Sequence, residues 1–364
     1  MRILYFTRDY TPHDHRFLTA LAQTEHQVYY LQLEKRGHSL EDRPLPPEID
    51  QVHWSGGRAP VSMRDGPRLR HELKSLLRRL KPDLVQAGPI QRSAFLVALA
   101  GFKPLLSMSW GYDLLIDAER NTWWRWATRF TLKHSAVLVG DCQTIRQKAI
   151  AYGMADDKIH TFPWGIDLQT FTVPEVPPQP TGGFTLLSTR SWEPIYGVEL
   201  IANAFVQAAR KDPQLRLIML GNGSQAARLH QTFQRGGVLD QVLFPGQVSQ
   251  AELPRYYHMA DLYIGASYSD GTSISLLEAL ACGRPALVSD IPGNCEWIIP
   301  GVNGWLFPGG DAQALEKAIL TAQEQRLKFA EMGRAARSLV ERHADWKMNF
   351  PKLLLAYEAA LHSS

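Results

Sequence analysis

Two series of short apolar runs, each run followed by an amphipathic stretch, constrain this chain more than any other feature. The first series is RILYF (2–6), QVYYLQL (27–33), DLVQAG (83–88), PLLSMSW (104–110) and AVLVG (136–140). The second is FTLLST (184–189), LRLIMLG (215–221), QVLFPG (241–246), DLYIGAS (261–267) and PALVSD (285–290). Runs this short and this continuously apolar suit parallel strands covered by helices on both faces. Strand and helix alternating twice predict two doubly wound α/β domains. Between the series, FTVPEVPPQPTGG (171–183) holds four prolines and two glycines and continues neither element, so it reads as a linker. The expected organisation is a first domain over 1–170, the linker over 171–183, a second domain over 184–345 and a closing segment over 346–364. That segment has apolar residues at helical spacing, and its Pro351 predicts a kink or a helix start.

A chain of 364 residues is long enough to bury two cores. Its net charge of +3 is unevenly spread: residues 1–170 carry 23 Lys plus Arg against 18 Asp plus Glu, and the remainder 16 against 18. The halves therefore stand at +5 and −2. This much acid argues against nonspecific nucleic-acid binding, whereas a basic first half suits a phosphate-bearing ligand or an anionic membrane surface. Cys142, Cys282 and Cys295 are too few and too scattered for a disulfide framework or a zinc site, which favours a reducing compartment and implies no metal. The opening MRILYFTRDYTPHD reads as a strand rather than a signal peptide, and no apolar stretch reaches 18 residues. The expected location is cytoplasmic, at most on a membrane surface.

Open parallel sheets bind ligands beyond the carboxyl ends of their strands. A dinucleotide site would need a glycine-rich turn after the first strand, and TRDYTPHDHR (7–16) has no glycine. LGNGSQ (220–225) is a lone Gly-x-Gly, equally explained as a tight turn. The informative stretch is SDGTSISLLEALACG (269–283). It predicts a loop followed by a helix capped by Thr272 or Ser273, with Leu276, Leu277 and Leu280 facing the sheet. The helix start offers free N–H groups and the positive end of the dipole, an anion site suited to a diphosphate. Helical side chains lean toward the N-terminus, so Glu278 reaches back toward that anion, while Asp270 stands on its other side in the loop. Two acceptor-only carboxylates flanking an anion hole suit a nucleotide sugar: ribose, diphosphate, hexose.

This stretch resembles the family 4 glycosyltransferases of the GT-B fold, whose signature is Glu, seven residues, Glu, then a small residue, Gly, Arg or Lys, Pro. Here it reads Asp270, seven residues, Glu278, then ALACGRP. SDIPGNCEWIIPGVNGWLFPGGD (289–311) is similar to the family's closing strand-loop run. The resemblance implies two Rossmann-like domains facing a central cleft, with the C-terminal helix crossing back onto the first domain. It assigns the ribose to Glu278, the hexose hydroxyls to Asp270, and the diphosphate to Gly271, Thr272, Ser273, Ile274 and Ser275. The family also places an Arg and, about five residues later, a Lys on the diphosphate. STRSWEPIYG (188–197) supplies Arg190, but Tyr196 stands where the Lys is expected. FPGQVS (244–249) is similar to the base-binding segment, through Gly246 and Val248, and a UDP-sugar is favoured over a GDP-sugar.

In the family the first domain holds the acceptor and a catalytic-site His after a strand. Here that place reads WGYD, so Trp110 stands in for the His and Asp113 closes the motif. His13, Asp14 and His15 lie on the loop after the first strand, where Asp14 and His15 are expected to orient the acceptor and His13 to serve at the catalytic site. The resemblance implies a retaining reaction in which the leaving diphosphate itself takes the acceptor proton, with no divalent metal and no cofactor besides the nucleotide-sugar donor. The expected function is hexosyl transfer to a glycan or polyprenyl-linked acceptor in envelope polysaccharide assembly. RLRHELKSLLRRLK (68–81) and NTWWRWATRFTLKHS (121–135) add a reading of peripheral membrane contact, against the plainer one of a solvated helix face and an aromatic core stripe. Two other classes remain: a sugar-nucleotide epimerase of the same fold, and a noncatalytic nucleotide-sugar-binding subunit.

Overall fold

The computed structural model describes residues 1–35, 41, 43–174 and 183–363, so residues 175–182 of the expected linker lie outside the described residues. The chain divides into two compact units, Met1–Phe162 with Phe350–Ser364, and Pro163–Asn349.

In the first unit, β1 (Arg2–Thr7), β2 (Gln27–Gln32), β3 (Asp50–Gln51), β4 (Leu84–Ala87), β5 (Leu105–Met108), β6 (Val137–Gly140) and β7 (Ile159–Thr161) form one sheet. Their spatial order is β3-β2-β1-β4-β5-β6-β7, with every pair parallel. The second unit contributes β8 (Phe184–Ser188), β9 (Leu215–Leu220), β10 (Val242–Gly246), β11 (Leu262–Gly265), β12 (Ala286–Ser289) and β13 (Gly304–Phe307). These are ordered β10-β9-β8-β11-β12-β13, again all parallel. Winding reverses between β1 and β4 in one sheet and between β8 and β11 in the other. Such reversal leaves a crevice beyond the carboxyl ends of those strands.

The continuous apolar runs are continuous because both faces are covered. In the second sheet Leu186, Leu217, Met219 and Ile264 join one buried cluster, and their neighbours Leu187, Ile218, Leu220 and Tyr263 join another. Successive residues point to opposite faces of a strand, so these clusters are the two layers of core on either side of the sheet. The ten strand-like runs of the sequence are all strands. The additions β3, β7 and β13 are edge strands of two, three and four residues, too short to show a period.

The closing segment is one helix, Trp346–His362, and Pro351 lies inside it rather than at its start. The helix begins in the second unit and ends in the first, changing units just before that proline. Leu353, Ala356, Tyr357 and Ala360 are fully buried, and the Tyr357 hydroxyl donates to Gln86 Oε1 of β4.

Candidate functional site

In the second unit the loops after β8 and β11 meet. Gly197, with φ +61, lets them do so: a methyl group on it would sit 2.0 Å from the Ala266 carbonyl oxygen. Ser273 caps the helix Ile274–Ala281, accepting from the Leu276 N–H at 3.4 Å, and Leu276, Leu277 and Leu280 are buried against the sheet. The first N–H groups of that helix have no intrahelical acceptor, so the helix presents donors and a partial positive charge. The loop ahead of it is held from behind. A methyl group on Gly293 would lie 2.2 Å from Gly271 O and 2.8 Å from Asp270 O, so the short helix Pro292–Cys295 packs flush on that backbone. Asn294 Nδ2 donates to Ser289 O at 2.9 Å, and Ser289 Oγ donates to Ser267 O at 2.7 Å.

Arg190 stands at this helix start. Its Nη1 donates to Ser273 Oγ at 3.2 Å, and its Nη2 lies 2.9 Å from Asp270 Oδ2. The guanidinium lies 3.9 Å above the Tyr196 ring, so the residue that replaces the expected Lys serves as a platform for the Arg. Burial works against the charge of Arg190, yet the Asp270 carboxylate and the surrounding tyrosines hold it above its ordinary value. Burial conversely pushes the Asp270 carboxyl up, opposed by Arg190 and by the Gly271 N–H.

Glu278, one turn further into the helix, is only 5% exposed. Tyr257, on the helix Leu253–Met259, donates its hydroxyl to Glu278 Oε2 at 2.8 Å and lies 3.2 Å from Thr189 Oγ1. Burial, and then the charge of Glu278, raise the Tyr257 phenol well above its ordinary value, so it stays a donor. Tyr257 is a residue the sequence reading missed: LPRYYHM carries no motif, and only the fold brings its hydroxyl under Glu278. The base-segment residues stand apart. Gly246 ends β10, two strands from β8, which is roughly 10 Å away. Its carbonyl accepts from Gly221 N at 2.8 Å, and Val248 packs half-buried beside the second core layer.

In the first unit the acceptor-side residues separate into two groups. Asp14 and Asp113 are wholly buried. Asp14 completes a capping box at the start of Pro12–Ala22, accepting from Thr11 N and from the Tyr5 hydroxyl, both at 2.9 Å. Asp113 accepts from Ser109 Oγ at 2.6 Å, Ile90 N at 2.9 Å, Leu114 N at 3.0 Å and Trp110 N at 3.2 Å, tying the loop after β4 to the loop after β5. Burial lifts both carboxyls to about 6 against the pull of these hydrogen bonds. His15 Nδ1 is 2.7 Å from the Tyr10 hydroxyl, and burial, then Arg43, lower its pKa. His13 and Trp110 do come together, their rings stacked at 5.8 Å and 27° at the carboxyl ends of β1 and β5. Among the described residues no group of three or more His, Cys, Asp or Glu is placed to hold a metal ion, and no helix is long and apolar enough to cross a membrane.

Comparison with known proteins covers both units. The family description Glycosyltransferase Family 4 matches residues 13–170, and Glycosyl transferases group 1 matches residues 171–339. A D-inositol 3-phosphate glycosyltransferase from Xylanimonas cellulosilytica is 32% identical over 203 residues, covering 51% of this chain and 48% of that protein. The amylovoran biosynthesis glycosyltransferase AmsK from Erwinia amylovora is 28% identical over 204 residues, covering 54% and 49%. The chain thus spans about half the length of the curated relatives it matches. The crystal structure of Anabaena HepE in complex with UDP-glucose has the same fold, with a TM-score of 0.80, 19% identity, and coverage of 99% of this chain and 100% of that one. Two parallel Rossmann-like sheets, an acid pair with seven residues between them at a helix start, and family matches that run nearly end to end agree: the chain belongs to the family 4 glycosyltransferases of the GT-B fold.

Proposed function

We propose that the chain is a retaining hexosyltransferase that uses a UDP-sugar and delivers the hexose to a glycan or lipid-linked acceptor in envelope polysaccharide assembly. The observation that carries this reading is Arg190, part-buried and paired with Asp270 at the capped start of Ile274–Ala281, with Tyr257 fixing Glu278 behind it. Glu278 takes the ribose hydroxyls, and the loop Gly271–Ser275 with Arg190 takes the diphosphate. As the bond from the sugar C1 to the diphosphate oxygen breaks, Arg190 and the helix N–H groups stabilise the charge gathering on the leaving group. The acceptor oxygen bonds to C1 on the same face, and its proton passes to the departing phosphate oxygen. Asp270, paired with Arg190, sets the position of the hexose, and His13 stacked on Trp110 orients the acceptor. In this scheme positioning and charge stabilisation carry the rate without a divalent metal or further cofactor, so transfer persists in EDTA.

HepE in complex with UDP-glucose and the amylovoran biosynthesis enzyme support the choices of UDP and of polysaccharide. A place on the cytoplasmic face of the membrane is supported by the helix Thr122–His134, which exposes Arg125, Arg129 and Lys133 around a Trp126 that is 50% exposed. The test is thermal shift of wild type and Glu278→Ala with UDP, GDP, ADP and dTDP, then the sugars of the nucleotide that binds. Stabilisation of wild type by UDP, lost in the variant, is expected, and no stabilisation by any of them at millimolar concentration overturns the reading. Product NMR showing inversion at C1 would overturn the retaining mechanism alone.

A further inference from the structure

The reversal point of the first sheet carries two arginines that the donor chemistry does not use. Arg8 leaves β1, and Arg92 sits in the π-helical turn Ile90–Ala94 that follows β4, the strand paired with β1. Turns of this kind are enriched at functional sites. Arg8 is compensated: its Nε pairs with Glu34, whose other carboxylate oxygen accepts from Val61 N at 3.0 Å, and against burial Tyr112 and then Glu34 hold its pKa above the ordinary value. Arg92 is not. Its guanidinium forms no ion pair and no hydrogen bond among the described residues, and its Nε is buried. It lies 5.0 Å over the Trp124 ring, which Arg120 approaches at 5.4 Å. Burial, and then the charge of Arg8, act against its protonated form, and Asp117 is the nearby carboxylate besides Glu34. Three guanidinium groups, on Arg8, Arg92 and Arg120, thus share a neighbourhood with two carboxylates, and the least compensated of them has no acceptor for its forked donors.

A half-buried, unpaired guanidinium is costly to hold, and its fork matches the two oxygens of a phosphate or carboxylate. We propose that Arg92, with Arg8 beside it, binds an oxyanion carried by the acceptor, so that the substrate class is a phosphorylated or uronic-acid glycan rather than a neutral one. The word acceptor rests on the glycosyltransferase reading above. The anion site does not.

The test measures binding by calorimetry to the full chain, saturated with UDP to occupy the donor helix, at constant ionic strength made up with sodium chloride. The probes are inorganic phosphate, sodium glucuronate and, as the uncharged control, glucose. At least one anion is expected to bind where glucose does not, and which one binds identifies the group as phosphate or carboxylate. Arg92→Ala should weaken that binding at least tenfold, and Arg92→Lys, which keeps the charge but not the fork, should weaken it less. The lysine variant, checked by melting temperature, separates loss of the site from loss of the Trp124 packing. Anion binding that is absent in wild type, or unchanged in both variants, overturns the proposal. Failure of UDP to bind wild type instead removes the donor reading, and the dependence of anion binding on Arg92 then still decides the site.

Discussion

The two sheets share a topology, yet they treat acidic residues at their reversal points in opposite ways. In the second unit Asp270 sits in the loop after β11, opposite a guanidinium, and Glu278 accepts from the Tyr257 phenol. In the first unit Asp14 and Asp113 are fully buried and saturated by backbone and hydroxyl donors. One pair stands at a capped helix start beside Arg190 and Tyr257, and the other pins loops to strands. Position after a parallel strand therefore does not by itself make a carboxylate a site residue. What distinguishes the two is what the oxygens face: a guanidinium and a phenol in one unit, the backbone of the loops they pin in the other.

This contrast can be broken most sharply at Arg190. Arg190→Ala should lower kcat by about 10²-fold to 10³-fold, the usual effect of removing one preorganised charge stabiliser. A loss under tenfold in a UDP-sugar transfer assay would mean that the pair with Asp270 is structural, like the acids of the first unit. Glu278→Ala should weaken UDP at least tenfold by calorimetry. Tyr257→Phe, which removes one hydrogen bond to that carboxylate, should weaken it roughly fivefold, in line with about 1 kcal/mol.

Asp14→Asn and Asp113→Asn test the other side. Each should cost about 1 to 2 kcal/mol in urea unfolding while leaving UDP affinity unchanged. Their pH dependence has a defined sign. Because burial raises both carboxyls to about 6 from the ordinary 3.8, the folded state holds protons that the unfolded chain has lost between those values. This contribution is fully present below about 4 and disappears as the pH rises through 6, amounting to up to ~3 kcal/mol per group. Either substitution should therefore be more damaging at pH 5 than at pH 7, and the opposite trend would show a carboxylate stabilised as the anion. The smallest effect is expected at Trp126→Ser, within about 0.5 kcal/mol in stability, since the ring is half exposed. The same change should reduce flotation with anionic vesicles if the aromatic and basic face of that helix meets lipid.

Periodicity made both sheets legible because strands covered on two faces are apolar throughout, and the pattern survives without knowledge of partners. The helix start at Ser273 and the spacing from Asp270 to Glu278 were legible for a similar reason: capping and helical lean are local rules. What escaped depends on how side chains meet across turns and between elements. The Tyr257 bond to Glu278 spans 21 positions. Nothing near Tyr196 announces that its ring lies beneath Arg190. Asp14 and Asp113 look like site residues in a linear reading because burial and hydrogen bonding, which decide their role, come from Tyr5, Ser109 and Ile90. Pro351 shows the limit of a local rule, since the helix around it starts five residues earlier.

The Tyr357 hydroxyl on Gln86 joins positions 271 residues apart, and the second unit occupies the chain between them. On the ribosome, where a polypeptide is made from its amino end and units fold as they emerge, Pro163–Asn349 is complete while the first unit still lacks its last helix. The unit begun earlier is thus closed later, and a chain stopped after Asn349 would carry the second unit whole and the first without Phe350–Ser364.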